Sequence, residues 1–278
     1  MSADLRFAKY RLPSGLGLHV AEQGPEDGRA VLMLHGYSDS WVSYSRILPL
    51  LPTDWHVIMP DQRGHGDSDR PMDGYAPADL AGDAIQLMDL LGIAEAALVG
   101  HSMGSFIART VAAQAPERVE RLVLVGSAAT ARNAVTQDLL REVEALDDPV
   151  GGDFVRAFQA STIHRPVPAA FFERVVAESL KLPARVWQAA LSALLAADPA
   201  PDLARIRCPV LILGGDQDGV FSQEEQKHLA TRIPGAILKI SPEIGHDPQW
   251  EAPDEVALDL HAFLQGPNDL TGILNQAD

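Results

Sequence analysis

The chain has 278 residues, 46% of them hydrophobic, which is enough to bury one large α/β core or two small ones. Its 22 lysine and arginine residues against 38 aspartate and glutamate residues give a formal net charge of −16, so nucleic acid and anionic membranes are not expected partners. A single cysteine, Cys208, excludes an internal disulfide. The charged first residues and the lack of a long apolar run predict a cytoplasmic protein without a membrane span.

The order of predicted elements favours an α/β fold. The stretch FAKYRLPSGLGLHVAEQG predicts an antiparallel hairpin at a sheet edge, because two extended pieces flank a Pro-Ser-Gly turn. Six short apolar runs follow, which is typical of strands buried in a parallel sheet; they start at Ala30, Trp55, Ala96, Arg121, Pro209 and Ala236. Helical patterns, such as 77–92 and 222–235, separate several runs. This alternation predicts a doubly wound sheet with functional groups at the carboxyl ends of its strands.

A long segment between Ser127 and Pro209 predicts an insertion. It spans about 80 residues, far more than one crossover between parallel strands needs. Prolines divide it into four helical pieces, at 135–146, 152–160, 169–182 and 185–197. We therefore expect a helical cap, residues 131–199, after the sixth strand, with membership of the core as the alternative for its last helix. Residues 1–130 and 200–266 then form the core, and residues 267–278 a loosely held tail.

The stretch LVGHSMGS, residues 98–105, predicts a nucleophile. A buried strand ends at Ser102 and a helix starts directly after it. Gly100 and Gly104 remove side chains that would collide in so sharp a turn, which leaves the serine hydroxyl exposed and the next N–H free to donate. A chance match to a five-residue pattern is the competing interpretation. The strand, turn and helix around the serine favour the nucleophile.

Four stretches together resemble the α/β-hydrolase family, specifically its capped esterase, lactonase and perhydrolase-like members. They are HGYSDSW from His35, DQRGHGDSDRP from Asp61, GHSMG from Gly100, and GGDQD followed by GHDPQWEAPDEV. The resemblance runs over residues 29–264. It implies the α/β-hydrolase fold, a mostly parallel twisted sheet flanked by helices, with a serine, an acid and a histidine in that chain order.

A serine nucleophile needs a neutral imidazole to take its proton and a carboxylate to orient that imidazole. Asp216 and Asp218 both follow the strand that starts at Pro209, and His246 follows the last strand. The resemblance implies His246 as the base and favours Asp218 as the acid. Asp216 remains the alternative acid; otherwise its carboxylate would only fix the turn after the strand.

The resemblance also implies two backbone N–H donors for an oxyanion, those of Tyr37 and Met103. Five side chains near these positions or in the cap are candidates for substrate contact: Tyr37, Trp41, Met103, Phe158 and Trp187. For the aromatic ones, packing in the core or under the cap is the alternative. We expect two of the five cap aromatics to face the substrate, out of Phe154, Phe158, Phe171, Phe172 and Trp187.

A cluster of polar residues in DQRGHGDSD suggests a metal site at first sight. Asp61, His65, Asp67 and Asp69 lie within nine residues, but the carboxylates lack a second histidine, and the family has this loop without a metal. An ordered loop is therefore the favoured interpretation. The chain also lacks a glycine-rich nucleotide-binding loop, so we predict neither a metal nor a cofactor.

These observations predict a serine hydrolase that cleaves a small, partly apolar carboxylic ester or lactone through an acyl-enzyme on Ser102. The alternatives are a carbon–carbon bond hydrolase or a cofactor-free perhydrolase with the same residues, and a ligand-binding receptor on a hydrolase scaffold. An unperturbed histidine would make activity rise around pH 6 to 7. The oligomeric state is left open, with a homodimer through the cap or the tail as one alternative.

Overall fold

The computed structural model describes residues 5–197 and 203–266, which contain one eight-stranded sheet. The strand order across the sheet is β1-β2-β4-β3-β5-β6-β7-β8. In this order, β4 and all the strands after it pair in parallel. The two pairs at the other edge, β1 with β2 and β2 with β4, are antiparallel. The strands are β1 Arg6–Arg11, β2 Gly17–Gln23, β3 Arg29–Leu34, β4 Trp55–Pro60, β5 Ala96–His101, β6 Val119–Val125, β7 Val210–Gly215 and β8 Ile237–Ser241.

The sequence-based predictions of the sheet are confirmed. The N-terminal hairpin forms the sheet edge, with Arg6 opposite Glu22 and Arg11 opposite Gly17. Each of the six apolar runs forms one of the strands β3 to β8. The chain therefore adopts the α/β-hydrolase fold that its motifs implied.

Helices cover both faces of the sheet. In the described part of the chain they are α1 Pro77–Leu90, α2 Met103–Gln114, α3 Ala134–Glu144, α4 Gly152–Thr162, α5 Ala169–Ser179, α6 Ala184–Ala196, α7 Gln223–Arg232, α8 Pro248–Glu251 and α9 Pro253–Gln265. Short 3₁₀ helices occur at Trp41–Tyr44, Leu48–Leu50 and Pro116–Arg118. None of the described helices has the length and apolar character needed to span a membrane.

Side chains along each strand point alternately to the two faces of the sheet, and this divides the hydrophobic core in two. Val31 and Met33 of β3 belong to a buried cluster with Leu260 of α9. Leu32 and Leu34 point to the other face and belong to a cluster with α1, α2 and the helices after β6. Successive side chains of a strand face opposite sides, so a run that is apolar throughout needs helices on both faces, as found here.

Among the described residues between β6 and β7 lie the helices α3 to α6, and we refer to residues 134–196 as the helical insert. α3 packs against α6, and α4 packs against α5. The helix α3 begins one residue before the predicted start because the Asn133 side chain accepts a hydrogen bond from the Thr136 N–H at 3.0 Å, an N-cap. Residues 198–199 of the predicted cap and the predicted tail, 267–278, lie outside the described residues.

Candidate active site

A sharp turn at Ser102 joins β5 to α2. Ser102 has φ +48°, a left-handed conformation that is unfavourable for serine. A Cβ at Gly104 would overlap the Leu34 carbonyl oxygen, and a Cβ at Gly100 would overlap the Gly104 carbonyl. The turn is held by the Ser102 N–H, which donates to the Val125 carbonyl at 2.9 Å. Both glycines are therefore required by backbone contact, and the serine side chain is left partly exposed.

A chain of hydrogen bonds links Ser102 to a histidine and an acid from two other loops. Ser102 Oγ lies 2.8 Å from His246 Nε2, and His246 Nδ1 lies 2.9 Å from Asp218 Oδ2. With Nδ1 protonated, the imidazole donates to Asp218 and accepts from the serine hydroxyl. The three residues follow β5, β7 and β8, so parallel strands deliver them to one edge of the sheet.

The two candidate acids occupy different positions. Asp218 contacts His246 and is itself fixed, because its Oδ1 accepts from the Val220 and Phe221 N–H groups at 2.8 and 2.9 Å. Asp216 Oδ1 instead accepts from the Glu243 N–H at 2.7 Å and so joins two loops. Asp218 is the acid placed to orient the imidazole, and Asp216 is placed as a turn carboxylate.

The loop that carries His246 is attached to the helical insert. The His246 N–H donates to the Thr162 carbonyl of α4 at 2.8 Å. Glu251 Oε2 accepts from the backbone N–H groups of His164 and Gly245 at 2.9 and 3.0 Å. A Cβ at Gly245 would lie 2.6 Å from the His164 nitrogen, so the two segments touch through their backbones.

The surroundings of His246 change its protonation. Burial lowers the pKa of His246, but the carboxylates of Asp218, Asp247 and Asp39 outweigh burial and raise it to about 9. The pKa of His246 therefore lies above the ordinary value of about 6.5, which moves the expected rise in activity to higher pH. The difference arises mainly from Asp218 and further from Asp39, because both come close to the imidazole only in the folded chain.

Asp39, His101 and Asp247 form a buried cluster beside His246. His101 Nε2 lies 3.2 Å from Asp247 Oδ1, and His101 Nδ1 lies 3.9 Å from Asp39 Oδ2. Burial raises the pKa of Asp39 to about 7, raises the pKa of Asp247 well above its usual value and lowers that of His101. One ligand atom from each residue lies within 4.8 Å of the others, which is close enough to hold a cation.

The four residues of the DQRGHGDSD stretch do not converge on one point. Asp61 accepts from the backbone N–H groups of Trp41 and Asp67 at 2.8 and 2.9 Å and lies 2.7 Å from His19. Asp67 forms an ion pair with Lys181, and Asp69 forms one with Lys9. His65 is buried, and its Nδ1 lies 2.9 Å from the Arg63 carbonyl. Although His19, Asp61 and Asp67 also lie close enough to hold a cation, each carboxylate has a protein partner, which fits an ordered loop.

A cavity of about 410 Å³ opens beside Ser102 and His246. The insert contributes much of its apolar lining, including Leu191 and Leu194 of α6. Two of the five insert aromatics line it, Phe154 and Phe158, while Phe171, Phe172 and Trp187 do not. The remaining aromatic lining comes from Tyr37, Phe221 and Trp250. The site therefore combines a polar edge with a largely apolar pocket.

Three of the five side chains predicted to contact substrate lie outside the cavity lining. Trp41 packs edge-on against Phe7 with ring centroids 5.1 Å apart, and its N–H donates to Asp61 at 2.8 Å. Met103 points into the core from the first turn of α2. Trp187 is fully buried, in a second layer behind Tyr37 and Phe158 at 5.2 and 5.4 Å. The predicted pocket contacts of these three side chains are therefore corrected.

The two N–H groups expected to bind an oxyanion lie next to the serine turn. Among the described residues, no hydrogen bond uses the Tyr37 or Met103 N–H as donor. Met103 begins α2, where the first N–H groups have no partner within the helix. Tyr37 follows Gly36, where a Cβ would lie 2.7 Å from Nδ1 of His101, the residue before Ser102.

Several residues that line the cavity were not predicted from the sequence. Asp39 and Asp247 lie close in sequence to Tyr37 and His246, and this proximity was a signal that could have been used. Gln159, Phe221 and Trp250 also line the cavity. Gln159 had no signal, because a single glutamine on a helix does not reveal what it faces.

Comparison with known proteins agrees with this architecture. The family model for the alpha/beta hydrolase fold matches residues 29–253. The chain is 27% identical over 271 residues to Lipase 1 of Psychrobacter immobilis, which covers 94% of this chain and 84% of the lipase. An esterase from Exiguobacterium antarcticum superposes with a TM-score of 0.82 at 22% identity, over 93% of this chain and 99% of its own.

A second solved structure gives a similar result. The enol-lactonase from Burkholderia xenovorans LB400 superposes with a TM-score of 0.78 at 24% identity, over 93% of this chain and 100% of its own. At 22% and 24% identity, the two superpositions are evidence for a shared fold only. The family match spans most of the chain, from β3 to the start of α9. The chain therefore belongs to the α/β-hydrolase family.

Proposed function

We propose that this protein is a serine hydrolase that cleaves a small, partly apolar carboxylic ester or lactone. The observation that carries the proposal is the hydrogen-bonded chain from Ser102 through His246 to Asp218 at the cavity. Family membership supports it, as does the relative named Lipase 1. A small binding protein would have no need of a serine held at φ +48° beside an oriented imidazole.

In the first half of the reaction, Ser102 Oγ attacks the carbonyl carbon while its proton moves to His246 Nε2. The tetrahedral intermediate then collapses, and the same nitrogen gives the proton to the departing alkoxide oxygen. In a lactone this oxygen stays attached to the acyl chain. The product is an acyl-enzyme in which the carbonyl carbon is bonded to Ser102 Oγ.

In the second half, water replaces the alcohol. His246 takes a proton from the water as its oxygen attacks the acyl carbon, and returns it to Ser102 Oγ when the acid product leaves. Asp218 holds the imidazole with Nδ1 protonated throughout. The N–H groups of Tyr37 and Met103 stabilise the negative oxygen of both tetrahedral intermediates, a contribution of roughly 3 to 4 kcal/mol per donor in a well-studied protease.

The cavity supports a small, largely apolar substrate. Its volume of about 410 Å³ falls in the range of small-molecule sites, roughly 300 to 1,000 Å³. Among the described lining residues there is no lysine or arginine. A carbon–carbon bond hydrolase acting on a carboxylate-bearing substrate would be expected to have one, so an uncharged ester or lactone fits better.

The decisive experiment compares an open-chain ester and a lactone with the same five-carbon acyl group, ethyl pentanoate and δ-valerolactone. Wild type and Ser102→Ala are assayed in parallel, with Ser14→Ala on the exposed hairpin turn as the matched control. We expect wild type and Ser14→Ala to hydrolyse at least one substrate and Ser102→Ala to hydrolyse neither. The preferred substrate separates esterase from lactonase.

Three results would contradict the proposal. Turnover that survives Ser102→Ala would exclude the serine mechanism. Absence of turnover by wild type on any ester, together with tight binding of one, would favour a receptor. Hydrogen peroxide as a faster acceptor than water in the second half-reaction would move the protein to the perhydrolases.

A further inference from the structure

The loop of residues 36–40, between β3 and the 3₁₀ helix Trp41–Tyr44, has an unfavourable backbone. Ser38 is fully buried and has φ +63°, a left-handed conformation that a non-glycine residue keeps only where its surroundings hold it. Within the loop, the backbone supplies one turn hydrogen bond, from the Asp39 N–H to the Gly36 carbonyl at 3.3 Å. Side chains from elsewhere must therefore contribute to holding the loop.

One of these side chains is Gln159, from α4 of the helical insert. It is 1% exposed, and its Nε2 lies 2.8 Å from Ser179 Oγ, 3.1 Å from Asp39 Oδ1 and 3.3 Å from Ser38 Oγ. An amide nitrogen has two hydrogens, so one goes to Ser179 of α5 and the other to the loop. Ser43 donates to the second oxygen of Asp39 at 3.3 Å, so Asp39 is held from both sides.

A second attachment comes from the residue that carries the expected oxyanion donor. The Tyr37 hydroxyl donates to the Trp187 carbonyl of α6 at 2.7 Å. The Tyr37 ring packs edge-on against Phe158 and Trp187, with centroids 5.8 and 5.2 Å away. Three consecutive residues, 37 to 39, are thus tied to the insert by hydrogen bonds.

We propose that the helical insert positions the oxyanion donor: Gln159 and the Tyr37 hydroxyl fix the loop so that the Tyr37 N–H points at the carbonyl oxygen of the substrate. This inference rests on the proposed function. Gln159 is then a positioning residue for the reaction, in addition to lining the cavity.

The energetic reason is that an oxyanion donor works only when its direction is already fixed. A donor that must reorganise during the reaction loses much of its stabilising effect, and a misplacement of about 1 Å can cost about 100-fold in rate. Without the amide of Gln159, Ser38 could relax from its left-handed conformation and rotate the neighbouring Tyr37 peptide. The loss would fall on the transition state and would leave ground-state binding of an uncharged ester nearly unchanged.

The experiment uses the full-length protein and an uncharged ester that wild type hydrolyses. Gln159→Met keeps the size of the side chain and removes the amide, and Tyr37→Phe removes only the hydroxyl. Gln188→Met is the matched control for the first, because its amide donates to the Leu146 carbonyl at 3.0 Å within the insert. Tyr75→Phe is the control for the second, because its hydroxyl donates to the Pro71 carbonyl at 2.8 Å, away from the loop.

Three quantities are measured for each variant: the number of serines that a fluorophosphonate labels, kcat and KM, and the inhibition constant of a small alkyl boronic acid. The boronic acid forms a tetrahedral adduct on the serine whose oxygen occupies the oxyanion position. For Gln159→Met we expect unchanged labelling, a kcat lower by roughly 10- to 100-fold, a KM within about threefold, and boronate binding weakened by a similar factor. Tyr37→Phe should show the same pattern at about 3- to 10-fold, and both controls should match wild type.

The outcomes separate the two proposals. If fluorophosphonate does not label Ser102 in wild type, the proposed function fails. If labelling is normal but Gln159→Met and Tyr37→Phe keep wild-type kcat and boronate affinity, only the positioning role fails. A raised KM with unchanged kcat would make Gln159 a substrate contact instead. If Gln159→Met does not fold, Tyr37→Phe decides the question by the same criteria.

Discussion

The carboxyl edge of the sheet and the helical insert meet at the same cavity but contribute to it in different ways. Ser102, Asp218 and His246 stand on short loops that are fixed through their backbones: the Ser102 N–H donates to the Val125 carbonyl of β6, and the His246 N–H donates to the Thr162 carbonyl at the end of α4. The insert contributes mostly side chains, such as Phe154 and Phe158, on the surfaces of helices. The reactive groups are therefore held by backbone geometry, whereas the pocket shape is held by side-chain packing.

This difference indicates which substitutions each region tolerates. A side chain on the insert can change size while its helix stays in place, because neighbouring side chains repack. A substitution at the carboxyl edge of the sheet instead displaces backbone that is in direct contact with the backbone of a neighbouring segment. We therefore expect changes at the sheet edge to abolish the reaction, and changes of those insert side chains that only shape the pocket to redirect it.

The largest expected effect tests the sheet edge through its acid. Asp218→Asn keeps the shape of the side chain but favours the wrong imidazole tautomer, so kcat should fall by about 10⁴-fold, as in a serine protease of unrelated fold with the same three side chains. Asp216→Asn, two residues away, can still accept from the Glu243 N–H and should remain within about threefold of wild type. Steady-state kinetics on one ester measures both, and equal losses would assign the role to the loop as a whole.

The next prediction concerns the backbone contact at Gly104. Gly104→Ala places a Cβ on the Leu34 carbonyl oxygen, so β3 and α2 must move apart, at a cost of at least about 3 kcal/mol in the free energy of unfolding. Gly82→Ala in α1 meets nothing within 4 Å and should instead gain about 0.5 to 1 kcal/mol. Urea denaturation of both variants checks the contrast. A Gly104→Ala variant as stable as wild type would show that the edge is not rigid.

The pH profile tests the charges that the loops at the sheet edge place around His246. Because the base must be neutral, kcat/KM should rise about tenfold per pH unit up to the raised pKa of about 9. Asp247→Asn removes a carboxylate that raises this pKa, so the rising limb of the kcat/KM profile should move to lower pH. Since His246 would have a pKa near 6.5 when unfolded, its protonation stabilises the fold fully below about pH 6.5, and this stability is lost as pH rises through about 9. A limb at pH 6 to 7 that Asp247→Asn does not move would contradict this account.

The smallest expected effect tests the insert. Phe158→Ala enlarges the cavity and should shift the preference between short and longer acyl chains by roughly 3- to 10-fold, with Ser102 labelling unchanged. Phe172→Ala makes the same change on a half-buried phenylalanine outside the lining and should leave the preference as it is. Rates on a series of esters from acetate to octanoate measure the shift. A collapse of all rates in Phe158→Ala alone would place the insert among the rigid parts of the site.

The sequence could predict those features that local patterns control. The apolar runs and the Pro-Ser-Gly turn were sufficient for the sheet and its hairpin, and the glycines around Ser102 indicated the sharp turn. Spacing alone could not decide between Asp216 and Asp218, because both follow β7. That choice depends on the Val220 and Phe221 N–H groups, which fix the Asp218 carboxylate.

Features that depend on contacts between distant segments could not be predicted. Trp41 lies four residues after Tyr37, and Trp187 lies in the predicted cap. Trp41 nevertheless packs against Phe7 and Trp187 against Phe158, and neither lines the cavity. The raised pKa of His246 likewise needs Asp39, which lies more than 200 residues away in the chain. Helical periodicity locates Gln159 on α4 but does not reveal the loop that it touches.

The backbone link between the His246 loop and α4 has a consequence for protein engineering. Inserts of this kind are attractive units to exchange between relatives in order to change substrate range. Here the His246 N–H donates to Thr162, and Glu251 accepts from the next backbone segment at His164. A chimera that replaces residues 134–196 as a block would therefore detach the base from its support. An exchange that retains residues 159–165 and replaces the helices on either side keeps this attachment and Gln159 together.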